Sequence, residues 1–154
     1  MSEKHQYVVF VLGELRIALH LSGVERVIWA VAVTPLPEAP ESVFGVINLE
    51  GRIMPVVDIR QRFGLSRGEP EPGDRFIIAH TVRRTVALWV DGVEGVVEPT
   101  AEEVTRAEEI LPDMGYVDGV IELSDGVILI HNLDRFLSME EERILEGAME
   151  DEGV

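Results

Sequence analysis

Cysteine is absent from all 154 residues, which rules out disulfides, thiolate metal sites and cysteine nucleophiles. Positive charge is scarce too. One lysine and twelve arginines face 29 acids, for a formal charge of −16. Such a balance repels phosphate backbones and anionic membrane surfaces, so neither nucleic-acid binding nor membrane insertion is expected. The excess of arginine over lysine reflects genome composition as readily as binding. Aromatic residues make up only 6% of the chain. Trp29, Phe44 and Trp89 are too few for a base-stacking platform. Long apolar runs are also missing: the longest, Val27 to Val33, is far too short to cross a bilayer. The start, Met1-Ser2-Glu3-Lys4-His5, lacks a basic region, and Gly13-Glu14-Leu15-Arg16 cuts short the apolar stretch that follows. It does not read as a signal peptide, and a cytoplasmic location is expected.

Recognisable reaction chemistry is equally hard to find. His5, His20, His80 and His131 stand outside metal-ligand spacing of one another and beside no clear carboxylate partner. No serine sits in a Gly-x-Ser-x-Gly elbow or a Ser-x-x-Lys pair. Gly92 to Gly95 lacks the Lys-Ser/Thr ending of a phosphate loop. Carboxylates abound, but nothing places Glu25, Glu94 or Asp91 in a shared pocket as an acid–base pair. The expectation is a protein without catalytic residues, metal or cofactor.

What is present is a structural phrase written twice. Gly45-Val46-Ile47-Asn48-Leu49 is answered 74 residues later by Gly119-Val120-Ile121-Glu122-Leu123. The segment Ala18 to Val27 is answered 69 residues later by Ala87 to Val96. Two matched blocks in the same order imply two related half-domains. Each half has only about 70 residues, too few for a secure core of its own, so the halves should pack together. A hydrophobic content of 46% with 27% charged residues is ordinary for a globular protein.

Each half opens with two strands. Tyr7 to Leu12 is one; in the next, Ile17, Leu19 and Leu21 alternate with Arg16, Ala18 and His20. Phe76 to Ala79 repeats the first, and Val86, Leu88 and Val90 then alternate with Ala87, Trp89 and Asp91, placing Trp89 and His20 at equivalent outward positions. A break follows: Thr34-Pro35-Leu36-Pro37-Glu38-Ala39-Pro40 in one half, and in the other Pro99 to Val104, where Thr100 and Glu103 have capping-box spacing. Hairpins come next, turning at Glu50-Gly51 and at Ser124-Asp125-Gly126. Asp58 is positioned to cap Ile59 to Phe63, ended by Gly64. Asn132 stands at the matching place and predicts a longer helix through Leu133, Phe136, Leu137 and Ile144. Glu69-Pro70-Glu71-Pro72-Gly73 reads as an exposed linker, and the acidic end from about Glu150 as a fraying tail. Many short strands separated by turn signals favour two small barrels over a sandwich.

Two features point outward. Val27-Ile28-Trp29-Ala30-Val31-Ala32-Val33 is more continuously apolar than a one-faced strand requires. Either the strand is covered on both sides, or one face meets another protein. Arg52, Arg60, Arg62 and Arg67 form a locally basic stretch on an acidic chain, either a partner-orienting patch or an ordinary solvated face.

From Pro35-Leu36-Pro37 through Val43-Phe44-Gly45-Val46-Ile47-Asn48-Leu49-Glu50-Gly51-Arg52-Ile53-Met54-Pro55-Val56-Val57-Asp58-Ile59, and again at Val86-Ala87-Leu88-Trp89-Val90-Asp91-Gly92-Val93, the chain resembles the CheW-like domain of bacterial chemotaxis coupling proteins. The resemblance covers Gln6 to Ser138. It implies a mainly β fold: two five-stranded SH3-like barrels related by pseudo-symmetry, with a short helix and a C-terminal helix. Residues 6–138 would form a single domain of interpacked halves (repeats about 7–65 and 74–137), followed by an acidic helix end and tail over 139–154. It also implies a non-enzymatic adaptor that links the cytoplasmic tips of methyl-accepting chemoreceptors to the regulatory domain of a histidine kinase, in arrays beneath the membrane. By position, Val24, Arg26, Gly45, Glu50 and the nearby Val86 fall where the family meets the receptor, and Val27, Ile28 and Trp29 near a kinase-facing surface.

Two positions depart from the family pattern together: an acid is usual where Arg26 stands, and an arginine where Glu50 stands. If the side chains meet, an ion pair has kept its place with reversed polarity. The alternative is chance substitution at two surface sites. A coupling protein of a pilus-motility or other non-flagellar chemosensory pathway fits the same residues, and a small-ligand sensor using the groove between barrels is the alternative of another class. The absence of a fused receiver domain speaks against a two-domain coupler.

Overall fold

The computed structural model describes residues 5–66, 68–106 and 115–151. The strands are β1 (Tyr7–Leu12), β2 (Leu15–His20), β3 (Val24–Trp29), β4 (Val43–Leu49), β5 (Arg52–Val57), β6 (Arg75–His80), β7 (Thr85–Val90), β8 (Gly92–Val97), β9 (Val104–Arg106), β10 (Val117–Leu123) and β11 (Gly126–His131). One α-helix, α1 (Met139–Asp151), closes the described chain. Short 3-10 turns occupy Leu21–Gly23, Arg60–Phe63, Ala101–Glu103 and Leu133–Arg135. No helix among the described residues is long and apolar enough to cross a membrane.

The strands form a five-stranded sheet, ordered β3-β6-β7-β5-β4, and a six-stranded sheet, ordered β8-β1-β2-β11-β10-β9. The sequence repeats are therefore not the spatial units. Each repeat lodges its opening hairpin in the other repeat's sheet: β1–β2 joins β8 to β11, and β6–β7 joins β3 to β5. The two exchanges are equivalent residue by residue. The parallel seam that pairs Val56 with Ala87 recurs as Ile130 paired with Ala18.

This exchange creates three apolar layers. Phe76, Ile78, Met54, Val56, Ala87 and Trp89 fill the five-stranded barrel. Tyr7, Val9, Ile121, Ile128, Ile130 and Ala18 fill the other. Between the sheets lies a larger core that includes Phe10, Ile17, Leu19, Ile77, Leu88 and Val90. Strands β2 and β7 thus bury both faces, one inside a barrel and one between barrels. The alternation in β7 correctly separates Leu88 from Trp89, but Trp89 points into its barrel and is only 1% exposed. Its expected outward placement is overturned because a central strand sandwiched by two cores has no solvent face.

One barrel has six strands where five were expected. Its extra strand β9 pairs three residues with β10, including Thr105 opposite Val120. In the five-stranded barrel the same place is held by a single bridge between Thr34 and Val46. The chain continues there as Pro35-Leu36-Pro37, and prolines have no N–H to extend a ladder. Both repeats need glycine opposite this segment. A methyl group on Gly45 would collide with the Thr34 carbonyl oxygen and sit 2.6 Å from Val33 Cγ1; one on Gly119 would lie 2.8 Å from the Thr105 carbonyl oxygen.

The turns follow local chemistry. Glu50 (φ 55°) and Gly51 (φ 88°) both adopt left-handed backbone, as a two-residue hairpin of the I′ kind demands. In the second hairpin Leu123 pairs with Gly126, so Ser124 and Asp125 form the loop and the Asp-Gly pair straddles its edge. Thr100 and Glu103 complete the expected capping box. Asp58 Oδ1 accepts from the Arg60 N–H at 3.0 Å, and Gly64 in left-handed conformation ends that turn. The residues after Asn132 correct an expectation. Asn132 caps only the 3-10 turn Leu133–Arg135, and the α-helix starts afresh at Met139. Ser138 begins it with a second capping box: Glu141 N–H donates to Ser138 Oγ, and Ser138 N–H to Glu141 Oε1. Leu145, Ala148 and Met149 anchor this helix on the central core. The linker residues Glu69 to Gly73 are exposed, as expected. The fraying expected from about Glu150 is not seen at Glu150 and Asp151, which end the helix; the rest of that expectation falls on residues 152–154, outside the described residues.

Candidate functional site

Strand β3 gathers the sequence-predicted interaction residues. As an edge strand of its sheet it alternates strictly: Glu25, Val27 and Trp29 are exposed, while Val24, Arg26 and Ile28 are half-buried. Past β3 the same alternation continues to exposed Val31 (47%), giving an outward apolar row with Val27 (39%) and Trp29 (61%). Ile28, Ala30 and Val33 turn inward and pack on the barrel interior. The long apolar run is thus one-faced: half of it completes the core and half faces water. Ile28, half-buried, packs on the barrel interior beneath that row. Arg75, the cross-strand neighbour of Trp29, lays its guanidinium over the indole at 3.3 Å from the ring centroid. This cation–π stacking holds the large exposed ring flat.

A charged flank lies beside that row, where β3 meets the β4–β5 hairpin and the end of β6. Arg26 Nη2 donates to Glu50 Oε1 at 3.0 Å, so the two departures from the family pattern do meet. Arg52 Nη2 donates to Glu25 Oε2 at 2.6 Å, and His80 Nε2 lies 3.2 Å from Glu25 Oε1. The Arg52 hydrogen bond, more than the nearby His80 and Arg26 charges, holds the Glu25 carboxyl below its usual range. Both ion pairs are solvent-accessible, so screening by water and salt leaves them little to contribute to stability.

Of the remaining expected receptor contacts, two are buried and one is half-buried. Val86 is 2% exposed and belongs to the core between the sheets. Gly45 is buried against Thr34. Val24 is half-buried and packs on the central core. Gly45 and Val86 are buried and offer no exposed side chain. The basic patch also dissolves. Arg52 pairs with Glu25 and Arg62 with Glu141, while Arg60 is buried; Arg67 lies outside the described residues.

Arg60 heads a polar cluster that pattern reading missed. Its Nη1 donates to Asp58 Oδ1 at 3.0 Å and its Nη2 to Asp91 Oδ1 at 2.6 Å. The guanidinium also lies over the Trp89 ring at 4.3 Å. Asp91 Oδ2 accepts from the Gly13 N–H, tying the β1–β2 turn to the other repeat. Trp89 Nε1 donates to Asp74 Oδ2 at 2.8 Å. Every polar group in this cluster works as a brace.

The CheW-like domain model matches residues 6–141, spanning both barrels. The chain belongs to the CheW-like domain family. It is 32% identical over 138 residues to a chemotaxis protein CheW of Thermotoga maritima, covering 90% of this chain and 89% of that protein. A chemotaxis protein CheW of Rhizobium meliloti is 28% identical, with 88% and 89% covered. Among solved structures, the scaffolding protein TtCheW of Thermoanaerobacter tengcongensis superposes with a TM-score of 0.76 at 31% identity, covering 84% of this chain and 90% of that one. The expected pair of SH3-like barrels is borne out.

Proposed function

We propose that this CheW-like protein is a chemotaxis signalling adaptor that couples methyl-accepting chemoreceptors to a histidine kinase by binding alone. Family membership across the whole double barrel gives the coupling role. The observation that carries the assignment of surfaces is the separation, on one edge strand, of an apolar row from a charged flank. Val27 and Trp29, with Val31, form the kinase-facing row; Ile28 supports it from inside. Arg26 and Glu50 present the receptor-facing charges, with Val24, Gly45 and Val86 fixing the backbone beneath them. Recruitment to receptor tips would place the protein in membrane-associated arrays. The reversed Arg26–Glu50 polarity selects receptors of matching charge, because like charges brought together at an interface cost several kcal/mol.

Reconstitution with candidate receptor and kinase tests this reading. Kinase activity should rise when the protein joins receptor and kinase. Trp29→Arg should abolish kinase binding while receptor binding persists. Arg26→Glu combined with Glu50→Arg should change receptor preference while kinase binding persists. An adaptor that leaves kinase activity unchanged and binds neither protein would refute the coupling role.

A further inference from the structure

The charged flank of β3 has a counterpart in the other repeat. Glu25 is the extra residue of a β-bulge: Val24 pairs with Ala79, and Arg26 with the very next residue, Ile78. Glu94, 69 positions on, is bulged in the same way between Val93 and Gly95. A bulge re-aims the side chain it carries. Both carboxylates meet a guanidinium: Arg52 Nη2 donates to Glu25 Oε2, and Arg16 Nε to Glu94 Oε1 at 3.0 Å. Glu25 meets an imidazole as well, because His80 stands where the other repeat has Val11.

Both ring nitrogens of His80 are held. A carboxylate only accepts, so Nε2, 3.2 Å from Glu25 Oε1, carries a proton. Nδ1 lies 3.0 Å from the hydroxyl of Thr85, its cross-strand partner. In the neutral ring that hydroxyl donates to Nδ1. When the ring gains a proton the hydroxyl turns and accepts, so neither state loses a hydrogen bond. The side chain is half exposed, and imidazole is the group that changes charge near neutrality.

The charges around the ring give this proton its consequence. Arg26 and Arg52 balance Glu25 and Glu50, and a protonated His80 adds one positive charge to the flank. In the β6–β7 turn, Arg83 and Arg84 lie beside Glu142 of α1. His80 also borders a cavity that carries the acids Asp118 and Asp134 and the imidazole of His20. His131 at that cavity is neutral, since burial and the Arg62 charge push its pKa down to about 3. Both oxygens of Glu25 are engaged, so what this part of the flank offers a partner is the exposed N–H groups of Arg52. Such donors suit a carboxylate.

We propose that His80 is a specificity-determining residue of the flank: it takes up a proton when a partner carboxylate docks against Arg52, so binding tightens as pH falls. This rests on the receptor-facing reading of the flank.

The probe is the receptor signalling tip that the reconstitution selects. It is titrated calorimetrically into the full chain at about pH 6 and about pH 8, in two buffers of different ionisation enthalpy. Binding should be roughly twofold to fivefold tighter at the lower pH, with net uptake of protons. His80→Gln should still bind the tip but lose both the gain and the uptake. Thr85→Val, which removes the acceptor for the added proton, should move the gain to lower pH. His20→Gln should behave as the parent chain does. Binding that is indifferent to pH, or a His80→Gln chain that keeps the parent's pH dependence, would overturn this proposal alone. Absence of binding at either pH would overturn the coupling reading and this proposal with it.

Discussion

The two barrels carry the same plan with different fillings. Phe76, Ile78, Ala87, Ile47, Met54 and Val56 line one interior; Tyr7, Val9, Ala18, Ile121, Ile128 and Ile130 occupy the matching places in the other. Positions inside the barrels vary mainly in size. Positions at the junction vary in kind: Trp89 becomes His20, Arg60 becomes Asp134, and the apolar Val57 of the shared core becomes His131. Repetition has preserved the frame of the fold and released the junction residues to vary: a guanidinium bridging Asp58 and Asp91 in one copy, and His20, Ser22, Asn132 and Asp134 at the matching places in the other.

Removing the brace should have the largest effect. Arg60→Ala would remove the buried guanidinium that bridges Asp58 and Asp91. Loss of about 3–5 kcal/mol is expected in urea denaturation. Asp134→Ala, at the exposed counterpart, should cost under about 1 kcal/mol. Equal losses would erase the contrast.

The paired glycines come next. Gly45→Ala drives a methyl group into backbone and should cost about 1–3 kcal/mol. Gly119→Ala, with a less severe approach to Thr105, should cost less by the same measurement.

His131 sharpens the comparison through pH. Burial, aided by the Arg62 charge, pushes its pKa down to about 3 from 6.5. The unfolded chain therefore takes up a proton that the folded chain refuses. The stability this confers is present in full above about pH 6.5 and declines as pH falls toward about 3, by up to about 1.4 kcal/mol per pH unit. His131→Val, which copies Val57, should flatten the acid limb of a stability profile by that slope. An unchanged limb would show that this histidine is not the titrating group. Glu50→Gln should do least, shifting stability by about 0–1 kcal/mol, with any effect shrinking in salt.

Much of this fold is legible in the chain because local chemistry governs it. Period-two alternation places the strands, Glu50-Gly51 fixes one turn, and Thr100 with Glu103 fixes a cap. Where expectation failed, a second layer intervened. Trp89 was placed outward because alternation distinguishes two faces without revealing that both are covered. The single long helix after Asn132 was a missed signal: Ser138 and Glu141 carry capping-box spacing and restart the chain. Of the site, β3 is visible as an unusually apolar run, whereas the burial of Gly45 depends on the close approach of the Val33–Thr34 segment and that of Val86 on the core between the sheets. The Asp58–Arg60–Asp91 brace joins residues from both repeats, so no local window contains it. The strand exchange was equally hidden, since the β2–β11 seam joins the two ends of the chain.

That seam dictates an order of manufacture. During synthesis the segment from β3 to β7 holds every strand of its sheet and is free to close early. The first hairpin, although made first, must wait for β8 through β11 to leave the ribosome before its own sheet is complete. A chain severed in the exposed linker near Gly73 would yield two pieces, neither owning a whole barrel, each finished only by embracing the other.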